Sequence, residues 1–282
     1  MRMLRLHQIR IFVSLLSYVG RSATGKLFVQ RMRRHPALGA ILRWLLGYRK
    51  TFDSLSEAEA CAARYIRLAH DHPGETALHR KLSDLTRESD YPVLFHLAPI
   101  AARLRRVFDL GGGVGNIFYS YDKHLRFEKE LTWTVCELPP RRADGARFAL
   151  ERKEPRLLFT GEFDGATGVD LLLVSGALHY FEEPLHPMLR RLERLPRRVI
   201  LNRTPFSRGQ ALITVQDSRD FLVACKLHDQ ADFIDGMKDL GYVLHDSWPV
   251  FELKTWVPLY PELSFAHHWG FYFEHVEKPA EA

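Results

Sequence analysis

The run Asp109-Leu110-Gly111-Gly112-Gly113-Val114-Gly115 constrains this chain more than any other. Four glycines in five residues follow an apolar segment and precede a stretch able to begin a helix. Without a Cβ, glycine lets such a loop turn tightly and lets backbone N–H groups approach a ligand closely. The helix that follows adds the partial positive charge of its N-terminus. Strand, glycine loop and helix in that order open a nucleotide-type βαβ unit, so the downstream chain is expected to build a parallel sheet covered by helices.

The remaining sequence agrees. Short apolar runs at 106–110, 132–137, 156–160, 169–175 and 198–202 alternate with amphipathic stretches, notably 141–153 and 184–195, the latter with Pro184 in its first turn. After Asn202 the alternation breaks, and 211–216 and 221–228 read as a strand pair. A helix over 230–240, capped by Asp229 and ended by Gly241, then leads to a sixth core strand at 242–246 and a seventh at 270–276. Upstream, Ser54 or Ser56 caps a helix expected over 55–70, and 93–105 carries apolar residues at helical spacing. The fold class is therefore α/β: a Rossmann-like seven-stranded sheet over 106–278, a helical lead-in over 51–105 and a basic helical extension over 1–50.

Glu137 closes the second strand 22 residues after Gly115. That is near the spacing at which an acid accepts hydrogen bonds from a ligand ribose. Glycine loop and acid together imply a cofactor carrying an adenosyl group.

Charge is distributed unevenly. Residues 1–50 hold nine Arg, two Lys and no acid, so within a net charge of +6 the remaining chain carries −5. In that segment Ile9, Phe12, Val13, Leu16 and Val19, and later Leu38, Ile41, Leu42 and Leu45, recur at helical spacing. Two readings follow: a basic amphipathic element on an anionic membrane surface through residues 1–47, or a helical extension packed on the body. The apolar run 11–19 falls short of the roughly 20 residues that cross a bilayer, and no cleavage site follows it. Its aromatics fall on the apolar stripes and no nucleic-acid module is visible, which disfavours nucleic acid as partner. Cys61, Cys136 and Cys225, odd in number and far apart, encode neither a disulfide framework nor a zinc site and suit a reducing, cytoplasmic compartment, peripheral to the inner membrane on the first reading.

The block 107–115 resembles motif I of class I methyltransferases, Thr134-Val135-Cys136-Glu137 resembles their second-strand acid, and 170–180 resembles their fourth strand. From about Tyr48 to Val276 the chain also looks like a bacterial methyltransferase family associated with surface-polysaccharide biosynthesis. The likeness is carried by Tyr48 and Phe52, Phe108 to Gly113, Trp133 with Glu137, and Val174-Ser175 leading to Leu178; members of that family commonly have Gln where this chain has His179. The resemblance implies S-adenosyl-L-methionine as cofactor and methyl transfer to O or N of a small-molecule or glycan-type acceptor.

On this reading Asp109, Gly111, Gly112, Gly113, Gly115 and Glu137 bind the cofactor, Glu162 and Phe163 (or Asp164) hold its adenine, and Ser175 bonds its methionine portion or its own turn backbone. Ligands on open α/β sheets sit at the carboxyl ends of the strands, which makes His179 the candidate base, with near-neutral titration suited to proton removal. Tyr180 either stacks on a ligand or joins the core. His228, His267 and His268 are further candidates, and no metal-ligand spacing is present. No GxSxG elbow surrounds Ser175 and no P-loop lysine follows the glycines. Two rivals stay open: a non-catalytic adenosyl-binding or assembly protein at the membrane, and an NAD-dependent oxidoreductase, which shares the glycine loop and the acid.

Overall fold

The central apolar runs become strands whose alternate side chains enter two buried layers. In β1 (Arg106–Leu110), Val107 joins one apolar cluster and Phe108 and Leu110 the other; in β4 (Leu171–Ser175), Leu171 and Leu173 face the first cluster and Leu172 and Val174 the second. These clusters are the two sides of one sheet. The structure, a computed structural model, describes residues 2–65, 80–218, 222–261, 264 and 267–276.

The main sheet also holds β2 (Thr132–Cys136), β3 (Leu157–Thr160), β5 (Arg198–Thr204), β9 (Tyr242–Val250) and β10 (His268–His275), in the order β3-β2-β1-β4-β5-β10-β9. β1 to β5 pair in parallel, and β10 runs antiparallel between β5 and β9. This is the expected seven-stranded Rossmann-like sheet. A second sheet is made of β6 (Phe206–Ser207), β8 (Leu222–Asp229) and β7 (Leu212–Asp217), the last two being the expected strand pair. Residue 221, the first of that second predicted strand, lies outside the described residues.

Three helices form the extension: α1 (Arg2–Val19), α2 (Ala23–Arg34) and α3 (Pro36–Leu46). Then α4 (Leu55–Ala62) starts where the Ser54 hydroxyl accepts the Glu57 N–H at 3.1 Å. It stops well before residue 70, and 66–70 lie outside the described residues. The helix expected over 93–105 is split into α5 (Tyr91–Leu97) and a single turn, Ala101–Arg103, because Pro99 has no N–H to continue the ladder onto the Phe95 carbonyl.

Further on, α6 (Asn116–Leu125) follows the glycine loop and α7 (Pro139–Glu151) follows β2. α8 covers only Leu185–Arg190, since the chain beyond it serves β4: the Gly168 N–H takes the Arg194 carbonyl at 2.8 Å. α9 (Gln230–Asp239) is capped as expected, the Asp229 carboxylate accepting the Asp232 N–H at 3.0 Å.

The extension packs on the second sheet. Leu6 and Ile9 of α1 share a buried cluster with Tyr48, Phe52, Ile213 and Leu222, and Leu16, Val29, Leu42 and Leu46 close a second one with Leu259. Arg10 forks onto Asp217 at 2.7 and 2.9 Å, and the Tyr48 hydroxyl reaches the same carboxylate at 2.5 Å. Phe52 continues this contact by a backbone bridge to Ile213. Among the described residues no helix is long and apolar enough to cross a membrane.

Candidate functional site

Register places the candidate residues along one edge. Leu110 pairs with Cys136 and with Val174, Cys136 with Thr160, and Ser175 with Asn202. The residues that leave these strands, Gly111, Glu137 and the turn after Ser175, therefore come together at the carboxyl ends of β1, β2 and β4.

The glycine loop has the geometry its composition demands. Gly111 and Gly113 have φ of +71° and +62°, a region costly for side chains. Gly112 is needed for another reason. A Cβ there would stand 2.3 Å from an Asp109 carboxylate oxygen, so its bareness makes room for a buried acid. Gly115, at φ +80°, is the N-cap of α6 and offers no side-chain cap, so the helix's positive end is not neutralised by its own cap.

Two acids flank this loop. Glu137 is half-buried; one oxygen accepts the Gly113 N–H at 3.1 Å and the other the Leu138 N–H at 2.9 Å. Each oxygen keeps a lone pair free to accept a further hydrogen bond. Burial raises the Glu137 pKa, and the two backbone N–H bonds oppose this. Asp109 is fully buried, with one oxygen taking the Trp133 indole N–H at 3.2 Å and the other without a partner. Burial pushes it up to about 7. A glycine cradle beside an unsatisfied buried carboxylate suits a ligand bearing hydroxyls and a positive group, and the uncapped helix N-terminus suits a negative one.

The other candidates are less uniform. Glu162 is exposed, and Phe163, half-buried, sets its ring edge-on to Phe108 at 6.0 Å. Asp164 is exposed beside them. The Ser175 hydroxyl accepts a hydrogen bond from the Arg203 guanidinium at 2.8 Å, so it is held by a neighbouring strand and not by its own turn. His179 lies in a single turn, Leu178–Tyr180, buried and with Nδ1 unpartnered. Its pKa is pushed down to about 3 by burial and then by His268 and His228, which corrects the expectation of near-neutral titration.

His268 packs 6.5 Å from His179, bonds the Thr255 hydroxyl at 2.8 Å, and is held near 4 chiefly by burial. His228 is buried and pushed to about 4. His267 instead packs against Phe251 and Trp269. Tyr180 joins an apolar cluster with Leu227, Val257 and Tyr260 while its hydroxyl reaches Gln216 at 3.2 Å. No cluster of metal-ligating side chains occurs among the described residues.

Sequence reasoning missed the polar network behind this edge. Arg203, 3% exposed and next to last in β5, has φ +54° and donates to the Ser89 hydroxyl at 2.8 Å, to Ser175 and to Asp90. The Tyr121 hydroxyl reaches the same Asp90 at 2.9 Å, and Glu252 accepts from Ser89. Half-buried Arg87 sits beside the network, its pKa lowered by burial and by the Arg203 charge. The rule that singles out Ser175, the carboxyl end of a strand, finds Arg203 once β5 is extended beyond Asn202.

No protein-family model matches the sequence, and no curated protein does. Solved structures do. A chain of the complex between the Haloferax volcanii Trm112 methyltransferase activator and a methyltransferase is 13% identical with a TM-score of 0.52, over 75% of this chain and 98% of that one. The Burkholderia thailandensis 1,6-didemethyltoxoflavin-N1-methyltransferase, with S-adenosylhomocysteine bound, is 18% identical with a TM-score of 0.46, over 74% and 92%. The O-methyltransferase NcsB1 of neocarzinostatin biosynthesis, solved with S-adenosyl-L-homocysteine and 1,4-dihydroxy-2-naphthoic acid, is 18% identical with a TM-score of 0.41; 66% of this chain spans 57% of that one. At these identities the likeness is one of fold.

Proposed function

We propose that this protein is an S-adenosyl-L-methionine-dependent methyltransferase acting on O or N of a small-molecule acceptor. The observation that carries the reading is the junction of glycine loop and second-strand acid, where Glu137 holds the Gly113 N–H at 3.1 Å beside the unpartnered oxygen of Asp109. An NAD-dependent oxidoreductase shares that junction. Yet β10 runs antiparallel between β5 and β9, an arrangement that two successive βαβ halves do not generate. The finer expectations are a glycan-type acceptor and peripheral attachment of residues 1–47 to an anionic membrane.

The cofactor supplies a methyl group activated by a sulfonium. The chain supplies position, a dry pocket and a destination for one proton. Glu137 fixes the ribose, Asp109 and the amino end of α6 fix the charged parts, Phe163 and Glu162 border the adenine, and Arg203 sets the position of Ser175 at the methionine end. His179 is the proposed base. Because burial keeps it neutral at every working pH, its ring accepts a hydrogen bond from the acceptor hydroxyl without prior deprotonation. An alkylated hydroxyl is a far stronger acid than imidazolium, so even a weak base takes its proton.

Calorimetry with S-adenosyl-L-methionine and with NAD tests the cofactor. Each charge-assisted hydrogen bond to the ribose contributes about 1.5–3 kcal/mol, so Glu137→Ala should bind S-adenosyl-L-methionine at least about tenfold more weakly, with Glu137→Gln in between. Equal affinity in all three proteins would overturn the pose, and tighter binding of NAD would overturn the function. Methyl transfer into a panel of small hydroxyl, amine and glycan acceptors should fall by about 10²–10⁴ in His179→Ala with cofactor affinity unchanged. Binding without turnover on any acceptor favours the non-catalytic reading.

A further inference from the structure

A helix packed on a protein body from one side needs one apolar stripe; those of the extension have two. On α1, Leu6, Ile9 and Leu16 are buried, while Ile11, Leu15 and Tyr18 repeat at i, i+4 and i+7 on an exposed face. On α3, Leu42 and Leu46 are buried while Leu38, Ile41 and Trp44 are exposed, and on α2 Val29 is buried with Leu27 and Phe28 outside. Of eighteen exposed large hydrophobic residues in the described chain, nine fall within residues 1–50. An apolar surface so concentrated calls for an occupant.

Charge states which kind. Arg10, Arg33 and Arg49 turn inward, onto Asp217 and onto the carbonyls of Leu259 and Val215. Arg5, Arg21, Lys26, Arg31, Arg34 and Arg43 are exposed on the same three helices or the turns between them, and residues 1–50 contain no acid to answer them. Outward helix faces that mix aromatic and aliphatic side chains with unopposed cations match the headgroup boundary of an anionic bilayer. Trp44 and Tyr18, at 66% and 76% exposure, are residue types that settle at that boundary.

We propose that the outward faces of α1, α2 and α3 seat the protein on an anionic phospholipid bilayer. This gives residues and a lipid chemistry to the membrane attachment named above, and it stands on the extension whether or not methyl transfer occurs. The seat adjoins the candidate site: Leu259 and Tyr260 pack under the helices, and Tyr260 shares with Tyr180, the neighbour of His179, an apolar cluster. The candidate site is thereby placed near acceptors held at the membrane surface.

The full chain is mixed with vesicles of phosphatidylcholine alone and of phosphatidylcholine with phosphatidylglycerol. Binding should appear only with phosphatidylglycerol and fall at least about tenfold in about 0.5 M salt, where exposed charges are screened. Brominated lipid should quench wild-type fluorescence, and the quenching should vanish in Trp44→Phe. The exposed-face variant Leu15→Ser/Phe28→Ser/Ile41→Ser should lose binding by at least about tenfold while keeping wild-type melting and S-adenosyl-L-methionine affinity. Equal binding to neutral and anionic vesicles, no binding to either, or a wild-type dimer that the triple variant makes monomeric would each overturn the proposal, the last by showing that a second copy covers the face. Loss of S-adenosyl-L-methionine binding in wild type would sink the methyltransferase reading and leave the vesicle result standing.

Discussion

Asp109 couples folding to pH. Burial lifts its pKa from 3.8 to about 7, so the folded protein holds a proton that the unfolded chain has released. Its contribution to stability is then fully present below about pH 4 and is lost as pH rises through about 7. The span is worth on the order of 4 kcal/mol. Asp109→Asn keeps an acceptor for the Trp133 indole and removes the titration, so its stability in denaturant should be flatter between about pH 5 and pH 8 than that of wild type. Parallel profiles for the two proteins would show that Asp109 is ionised throughout. The cradle is legible at this scale because its demand is local: glycine spacing and the acid ending β2 can be read from adjacent residues. What the sequence does not show is the division of labour, in which Gly112 serves Asp109 and Ser175 serves Arg203. Nor does it show that the histidine proposed as base has its pKa driven down to about 3, chiefly by burial and in part by two further histidines brought from β8 and β10.

Among the elements, the end of β5 shows why part of the site stays hidden in the sequence. Apolar patterning ends the strand at Asn202, yet it runs to Thr204, and Arg203 adopts φ +54° there without being glycine. Nothing nearby in sequence compensates that conformation. Its partners Ser175 and Asp90 are 28 and 113 residues away, on β4 and just ahead of α5, so only the folded chain reveals them. Arg203→Met would leave Asp90 buried without its cation and should cost about 3–5 kcal/mol in chemical denaturation. Arg203→Lys restores the charge without the planar fork and should recover part of the loss. A cost below about 1 kcal/mol in Arg203→Met would mean that the Tyr121 hydroxyl and the Arg87 N–H, at 2.9 and 2.8 Å, satisfy Asp90 without it. Strands with strict alternation are legible to within a few residues. Periodicity makes the helices at 93–105 and 184–195 too long, because Pro99 and the claim of Gly168 on the Arg194 carbonyl act against their continuation.

At the scale of the whole molecule, the extension and the second sheet depend on each other. The sequence shows a helical extension and a strand pair but not that they meet, since their contact joins residues more than 150 positions apart, as in Phe52 with Ile213 and Arg10 with Asp217. Asp217 holds both Arg10 and Tyr48, and Arg49 donates to the Val215 carbonyl at 2.6 Å. Removing the helices would strip Ile213, Val215 and Leu222 of their cover, so an amino-terminal deletion is not a neutral way to isolate the main sheet. The Asp217 knot also implies a shared rhythm of opening. Amides of α1, α3, β7 and β8 should exchange with solvent deuterium as one cooperative unit, slower than fraying termini and faster than β1 and β4. Leu46→Ala, at a fully buried position, should destabilise that unit by about 2–5 kcal/mol and quicken exchange in the distant hairpin as much as in its own helix, while protection of β1 and β4 stays unchanged.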